Sequence, residues 1–97
     1  MIIKLIELAE DNHYGSADGN KIYILREIFI NPRQVVCLRE DFSTQKKLKD
    51  GLLPDGLDPR TKFTKLSLER GHSGIDLVIL GDPVAVQAKL EKQILKG

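Results

Sequence analysis

Three side chains in this sequence are of types that often carry chemistry: Cys37, His13 and His72. A cysteine nucleophile needs a base that stabilises its thiolate, and no histidine or carboxylate follows a spacing typical of such a pair. Neither histidine has neighbours at the spacing of zinc ligands. The sequence therefore predicts no catalytic residue, no metal ligand and no cofactor, and Cys37 is expected to be a buried small hydrophobic residue.

Length and composition narrow the class of protein. The chain has 97 residues, 41% hydrophobic and 30% charged, which predicts one globular domain. The net charge of +1 gives no general attraction to nucleic acid or to an anionic membrane. No apolar run approaches the ~20 residues of a membrane span. A single cysteine excludes an internal disulfide, so we expect a protein of the reducing cytoplasm.

The stretch from Phe63 to Ile94 sets the plan of the chain: strand, turn, strand, cap and helix. At the join, Gly81 lets the chain leave the strand, Asp82 is a strong N-cap residue and Pro83 suits the first helical position. The helix that follows has one apolar stripe, because apolar residues recur there every four positions; they are Val86, Leu90 and Ile94.

Alternation of apolar and polar residues in some segments, and a high content of β-branched and aromatic residues in others, predict five strands. They are Ile2–Leu8, Lys21–Ile30, Gln34–Glu40, Lys62–Glu69 and Ile75–Leu80. Asn31 and Pro32 favour a turn, so residues 21–40 are predicted to form a hairpin with a corner at that pair. Arg26 and Glu27 interrupt an otherwise apolar strand and need either partners or an exposed bend.

Residues 41–60 differ in composition from the rest and are interpreted as a mobile insertion in the single domain. Ser43 could cap a short helix that Gly51 would end. The insertion and the strand after it also concentrate positive charge. This charge is either a solvated face or a set of phosphate contacts, and the residues concerned are Lys46, Lys47, Lys49, Arg60, Lys62 and Lys65.

Two resemblances follow from the order of these elements. Residues 28–36 and 64–90, with Ile-Asn-Pro, a Gly-containing turn and a terminal helix, resemble the short FlbD-like proteins of flagellar operons. Residues 25–40 and 56–83 look more like short accessory proteins of T4-like phages, including those of cyanobacterial hosts. Both resemblances imply a small non-enzymatic accessory protein in a bacterial cytoplasm. Neither includes a catalytic motif, so no functional residue is carried over.

The predicted fold is α+β: a five-stranded curled antiparallel sheet or small open barrel with one C-terminal helix. One helix covers one face, yet several strands are apolar on both faces. Exposed apolar patches usually mark an interface, so we expect a homo-oligomer, in its commonest form a twofold dimer. The predicted interface residues are Ile24, Ile28, Phe29, Ile30, Val36 and Phe63.

Two functions are compatible with these observations. The first is an interaction or assembly-accessory protein that acts through a self-associating apolar sheet surface. The alternative is a small RNA- or single-stranded-DNA-binding protein that uses the basic residues of the 46–65 region. The near-neutral charge and the few aromatic residues favour the first, since binders of single strands combine a basic groove with stacking rings.

Overall fold

A computed structural model describes residues 2–10, 22–70 and 73–96, and its five strands form one antiparallel sheet. The strands are β1 (Ile3–Glu10), β2 (Tyr23–Ile30), β3 (Val35–Glu40), β4 (Phe63–Arg70) and β5 (Ser73–Leu80). Two helices accompany them, α1 (Phe42–Lys49) and α2 (Pro83–Lys96). The five predicted strands and the C-terminal helix are confirmed, and α1 adds a second helix to the predicted fold. His13 and His72 lie outside the described residues.

The order of strands in the sheet is β2-β1-β5-β4-β3, so the predicted hairpin over residues 21–40 is wrong. β2 and β3 form the two opposite edges of the sheet. The side chain of Asn31 accepts a hydrogen bond from Arg33 N at 3.0 Å and starts a 3-10 turn at Pro32–Gln34. This turn carries the chain onward from one edge to the other, because β2 and β3 run in the same direction.

The link between β2 and β3 requires the sheet to be curled. Strands lie about 4.8 Å apart, so the edges of a flat five-stranded sheet are separated by about 19 Å. Residues 31–34 span roughly 17 Å when fully extended, and a 3-10 turn shortens that reach. The two edges must therefore approach each other, which they do if the sheet curls into an open half-barrel.

The concave face of this half-barrel holds the main core. Its buried residues come from four strands and from α2, and they are Ile3, Leu5, Ile30, Leu66, Ile79, Val86 and Leu90. Two of them, Val86 and Leu90, belong to the predicted apolar stripe of α2, so the stripe packs on the sheet as expected. The helix begins as predicted: Ala85 N donates to the Asp82 carboxylate at 2.7 Å.

A second, smaller core lies on the convex face. Phe63 is fully buried there, together with Leu8 and with Leu53 from the 41–60 insertion. Leu48 and Leu57 of the insertion pack against the same cluster. The insertion thus covers part of the face that α2 leaves open. Its mobility stays a prediction, and these leucines are the contacts that any such motion would have to break.

The residue that caps α1 is Asp41, not Ser43. The Asp41 carboxylate accepts from Thr44 N at 3.1 Å, from the Thr44 hydroxyl at 2.7 Å and from the Ser43 hydroxyl at 2.9 Å. Burial acts to raise the pKa of Asp41, but these hydrogen bonds outweigh it and lower the pKa below its ordinary value. The cap stands where β3 ends and the insertion begins, so it fixes the direction in which the insertion leaves the sheet.

We predict that Asp41→Ala lowers the free energy of unfolding by about 1–2 kcal/mol, whereas Ser43→Ala costs less than about 0.5 kcal/mol. Because the pKa of Asp41 is lower in the folded than in the unfolded protein, its stabilisation is complete above the unfolded value of about 4. It is lost as the pH falls through the lower folded value. Urea denaturation between pH 2 and 6 measures both effects, and Asp41→Asn should flatten this part of the curve.

Candidate functional site

A cavity of about 510 Å³ opens on the concave side of the sheet. It lies between the edge strand β2 and the segments of β4 and β5 that carry Leu68 and Ile75. The lining combines an apolar majority with a few polar groups; the residues are Ile2, Glu7, Arg26, Ile28, Phe29, Ile30, Asn31, Gln34, Leu68, Glu69, Ile75 and Leu77. A volume of this size suits a small ligand or several side chains of a partner.

An ion pair crosses the cavity wall. Glu7 and Arg26 are directly opposite residues of β1 and β2, and Arg26 Nε lies 2.9 Å from Glu7 Oε1. The Glu7 side chain is 8% exposed, whereas that of Arg26 is 58% exposed. Arg26 therefore neutralises a buried carboxylate and keeps the rest of its guanidinium in contact with solvent. The predicted need of Arg26 and Glu27 for partners is confirmed, since Glu27 lies 3.6 Å from Lys4.

Glu69 lies at the rim of the cavity and is exposed; it is paired with Gly74, and alternation along β4 places its side chain on the convex side, opposite to that of Leu68. Within the described part of the chain its carboxylate has no hydrogen-bond or ion-pair partner. With Glu7 neutralised by Arg26, the interior of the cavity is mainly apolar, and Glu69 adds a negative charge at its rim. The cavity therefore favours an occupant that is mainly apolar and carries any positive charge where it leaves the cavity at that rim.

The six predicted interface residues occupy different environments. Ile30 and Phe63 are buried in the concave and convex cores. Ile28 lines the cavity, and Ile24 is half-buried on the same edge strand. Phe29 and Val36 are 63% and 64% exposed, so they are the members of the set that a second molecule can reach without rearrangement of the cores. The interface itself stays a prediction.

The six predicted phosphate contacts are also dispersed. Three have partners within the chain: Lys47 lies 5.2 Å from the centre of the Tyr23 ring, Arg60 lies 3.5 Å from Asp58, and Lys62 lies 3.9 Å from Glu40. Lys46 and Lys49 make no ion pair with the residues that the structure describes. The patch is therefore less positive than its sequence implies.

One basic feature was missed by sequence reasoning. Arg39 and Lys65 are directly opposite residues of β3 and β4, and both point to the convex face. Like charges in this position repel each other, but the Asp41 carboxylate lies near enough to Lys65 for the lysine to lower its pKa, so part of the repulsion is offset within the chain. Phe42, 69% exposed at the start of α1, follows Arg39 closely in the chain. Only the strand register could have revealed the pair.

Cys37 is half-buried on the convex face, so the prediction that it is buried is wrong. Hydrogen bonds from Ser67 and Arg39 lower the pKa of the thiol. The Ser67 hydroxyl has one proton and donates it to Asp76 at 2.7 Å, so we assign the effect on Cys37 mainly to Arg39, whose Nη2 lies 3.7 Å from Sγ. This contact places Cys37 beside the basic pair.

Some features are absent from the part of the chain that the structure describes. No group of three His, Cys, Asp or Glu residues there is arranged to hold a metal ion. No helix among these residues has the length and apolar character needed to cross a membrane. Comparison with known proteins adds no family: no family model, curated protein or solved structure matches the chain.

Sequence reasoning also missed the cavity, because its lining comes from strands that are distant in the chain. The one available signal was the charged Arg26 within an apolar strand, which pointed to an unidentified partner. That partner is Glu7, and the pair forms one side of the cavity. The contribution of this ion pair can be measured as a change in the free energy of unfolding.

We predict that Arg26→Met lowers the free energy of unfolding by about 1–2 kcal/mol, because it leaves the buried Glu7 carboxylate without its partner. This loss of stability is smaller than that expected for a fully buried ion pair, because Arg26 is partly solvated. The double variant Glu7→Met/Arg26→Met should recover most of the loss. Chemical denaturation of the two variants measures this difference. A double variant less stable than Arg26→Met would show that Glu7 does not depend on Arg26.

Proposed function

We propose that this protein is a small non-enzymatic interaction or assembly-accessory protein that acts through the open edge of its curled sheet. The observation that carries the proposal is the combination of an edge strand, β2, with a cavity of about 510 Å³ directly beside it. Unpaired strand edges and apolar concavities are both features through which proteins bind other chains. The bound chain is either another protein or a second copy of this one.

Self-association is the first form of this function. Phe29 lies on the convex side of β2 and also reaches the mouth of the cavity, so it is placed to contact a second molecule. Val36 supplies a comparable exposed apolar side chain on the other edge strand. Aromatic residues are the commonest anchors of protein interfaces, which gives Phe29 the leading role in the proposed contact.

We predict a dimer in sedimentation equilibrium at tens to hundreds of micromolar protein. Phe29→Ser should weaken it by at least about tenfold, because an aromatic anchor in an interface is usually worth more than 1 kcal/mol. Phe42→Ser is the matched control, since Phe42 is comparably exposed but belongs to α1 and not to β2. A strictly monomeric mass over the whole range, or equal effects of the two substitutions, would contradict self-association through the convex side of β2, where Phe29 lies.

A second function is favoured by one observation, the opposed pair Arg39 and Lys65 next to the exposed ring of Phe42. Basic side chains beside an accessible aromatic ring are the elements with which proteins bind single-stranded nucleic acid. Under this alternative, phosphates lie between Arg39 and Lys65 and a base stacks on Phe42. Lys46 would extend the same surface along α1.

We predict little binding to single-stranded RNA or DNA at about 0.15 M salt, because half of the predicted basic contacts have partners within the chain. Fluorescence anisotropy with a labelled oligonucleotide, repeated over a range of salt, measures this. A salt-sensitive complex of micromolar or better affinity that is abolished by Arg39→Glu/Lys65→Glu would assign the function to the second candidate. Phe29→Ser, which lies outside that surface, is the control.

A further inference from the structure

The edge of β2 that faces away from β1 pairs with no other strand among residues 2–10, 22–70 and 73–96. β2 has eight residues and pairs with β1 along its whole length, Ile3↔Ile30 to Glu10↔Tyr23. It is the terminal strand of the sheet that these residues form. Backbone N–H and C=O groups along such an edge can form a ladder with an added strand. The other edge, β3, is less suited, since a register irregularity between Val35 and Cys37 disrupts it.

The cavity lies on the side of the sheet where an added strand would direct alternate side chains. Arg26, Ile28 and Ile30 are the concave-facing residues of β2 that line it. Directly opposite residues of neighbouring strands share a face, so alternate residues of an added strand would point into the same space. The edge and the cavity thus form a single recognition surface: hydrogen bonds along the backbone and apolar pockets for every second side chain.

A second copy of β2 fits this edge poorly. Antiparallel strands related by a twofold axis pair about one residue and its own symmetry mate. The two registers with the greatest overlap of the eight-residue strand place either Arg26 against Arg26 or Glu27 against Glu27. Like charges directly opposite each other are destabilising. A segment with a different sequence has no such restriction, so the edge favours a segment of another protein.

We infer that β2 captures an extended peptide segment of another protein as a sixth strand, with apolar side chains two residues apart in the cavity and a lysine or arginine near Glu69. The inference rests on the proposed function and specifies its partner. Ile28, Leu68, Ile75 and Leu77 supply the apolar walls. The carboxylate of Glu69, at the rim of the cavity, supplies a charge that favours a basic residue where the peptide leaves the cavity.

The experiment is selection from a phage-displayed library of random twelve-residue peptides against the immobilised full chain. The enriched peptide is then synthesised and its affinity is measured by isothermal titration calorimetry. We expect a consensus with apolar residues at alternate positions and one basic residue. N-methylation of alternate peptide nitrogens should weaken binding by at least about tenfold, because it removes the hydrogen bonds to β2. Amide shifts in an NMR titration should centre on β2.

Three substitutions link the peptide to the cavity. Ile75→Trp, which fills the cavity, should weaken binding at least about tenfold, whereas Val84→Trp on the exposed side of α2 should not change it. Glu69→Gln should cost roughly threefold, the usual effect of one exposed ion pair. Glu91→Gln on α2 is its matched control. The NMR spectrum of each variant without peptide establishes that it is folded.

The results separate this inference from self-association. No enriched peptide, a peptide whose N-methylated form binds equally, or a footprint away from β2 would overturn capture by strand addition. If the wild type and Ile75→Trp bind the peptide with equal affinity, the cavity does not take part in binding, and the inference is overturned. A protein that dimerises in sedimentation but selects no peptide retains its interaction function without peptide capture. A strict monomer that binds the selected peptide would show peptide capture without self-association.

Discussion

The fold depends on a short ladder at the centre of the sheet. β1 pairs with β5 through Glu7↔Ile79 and Leu8↔Val78, whereas the β1–β2 and β4–β5 ladders extend over eight residues each. This short ladder joins the β1–β2 hairpin to the three strands that follow. Because successive residues of a strand point to opposite faces, Glu7 lies beside the concave cavity and Leu8 enters the convex core.

The brevity of the central ladder explains the shape of the half-barrel. Where β1 and β5 separate, the concave side is open and α2 does not line it, so the space remains as the cavity. On the convex side, Leu53 and its neighbours in the insertion cover the apolar residues that α2 cannot reach. The same chain thus covers parts of both faces of its sheet, with one helix and one irregular segment, and leaves the cavity beside β2 open.

Local patterns predicted the elements well and their arrangement poorly. Period-two alternation located all five strands within two residues at each end, and Asp82 with Pro83 placed the start of α2. The prediction of a hairpin was wrong because Asn31-Pro32 can either reverse the chain or only change its direction. Which of the two occurs depends on the strand with which β3 pairs. That partner is β4, which comes later in the chain. Non-local pairing of this kind leaves no local signal.

The candidate site was hidden from sequence reasoning for the same reason. The residues that line the cavity come mainly from four strands, and they meet only because β1 pairs with β2 and β5 and β5 pairs with β4. The interface prediction was based on apolar character alone, which cannot distinguish Phe63, fully buried in the convex core, from the exposed Phe29. Both are phenylalanines in predicted strands. Phe63 is buried in the structure because Leu53 of the 41–60 insertion packs in the same cluster, and the sequence alone does not show this contact.

The two edges of the sheet are protected against uncontrolled pairing by different means. On β3 a register irregularity at Val35–Cys37 interrupts a regular ladder. On β2 the central residues are Arg26 and Glu27. When two copies of β2 pair with the longest overlap, either Arg26 faces Arg26 or Glu27 faces Glu27, and these like charges repel each other. Repulsion of this kind acts against an identical strand and not against one of different sequence. The like charges that oppose pairing of two identical β2 edges therefore do not oppose pairing with a segment of different sequence.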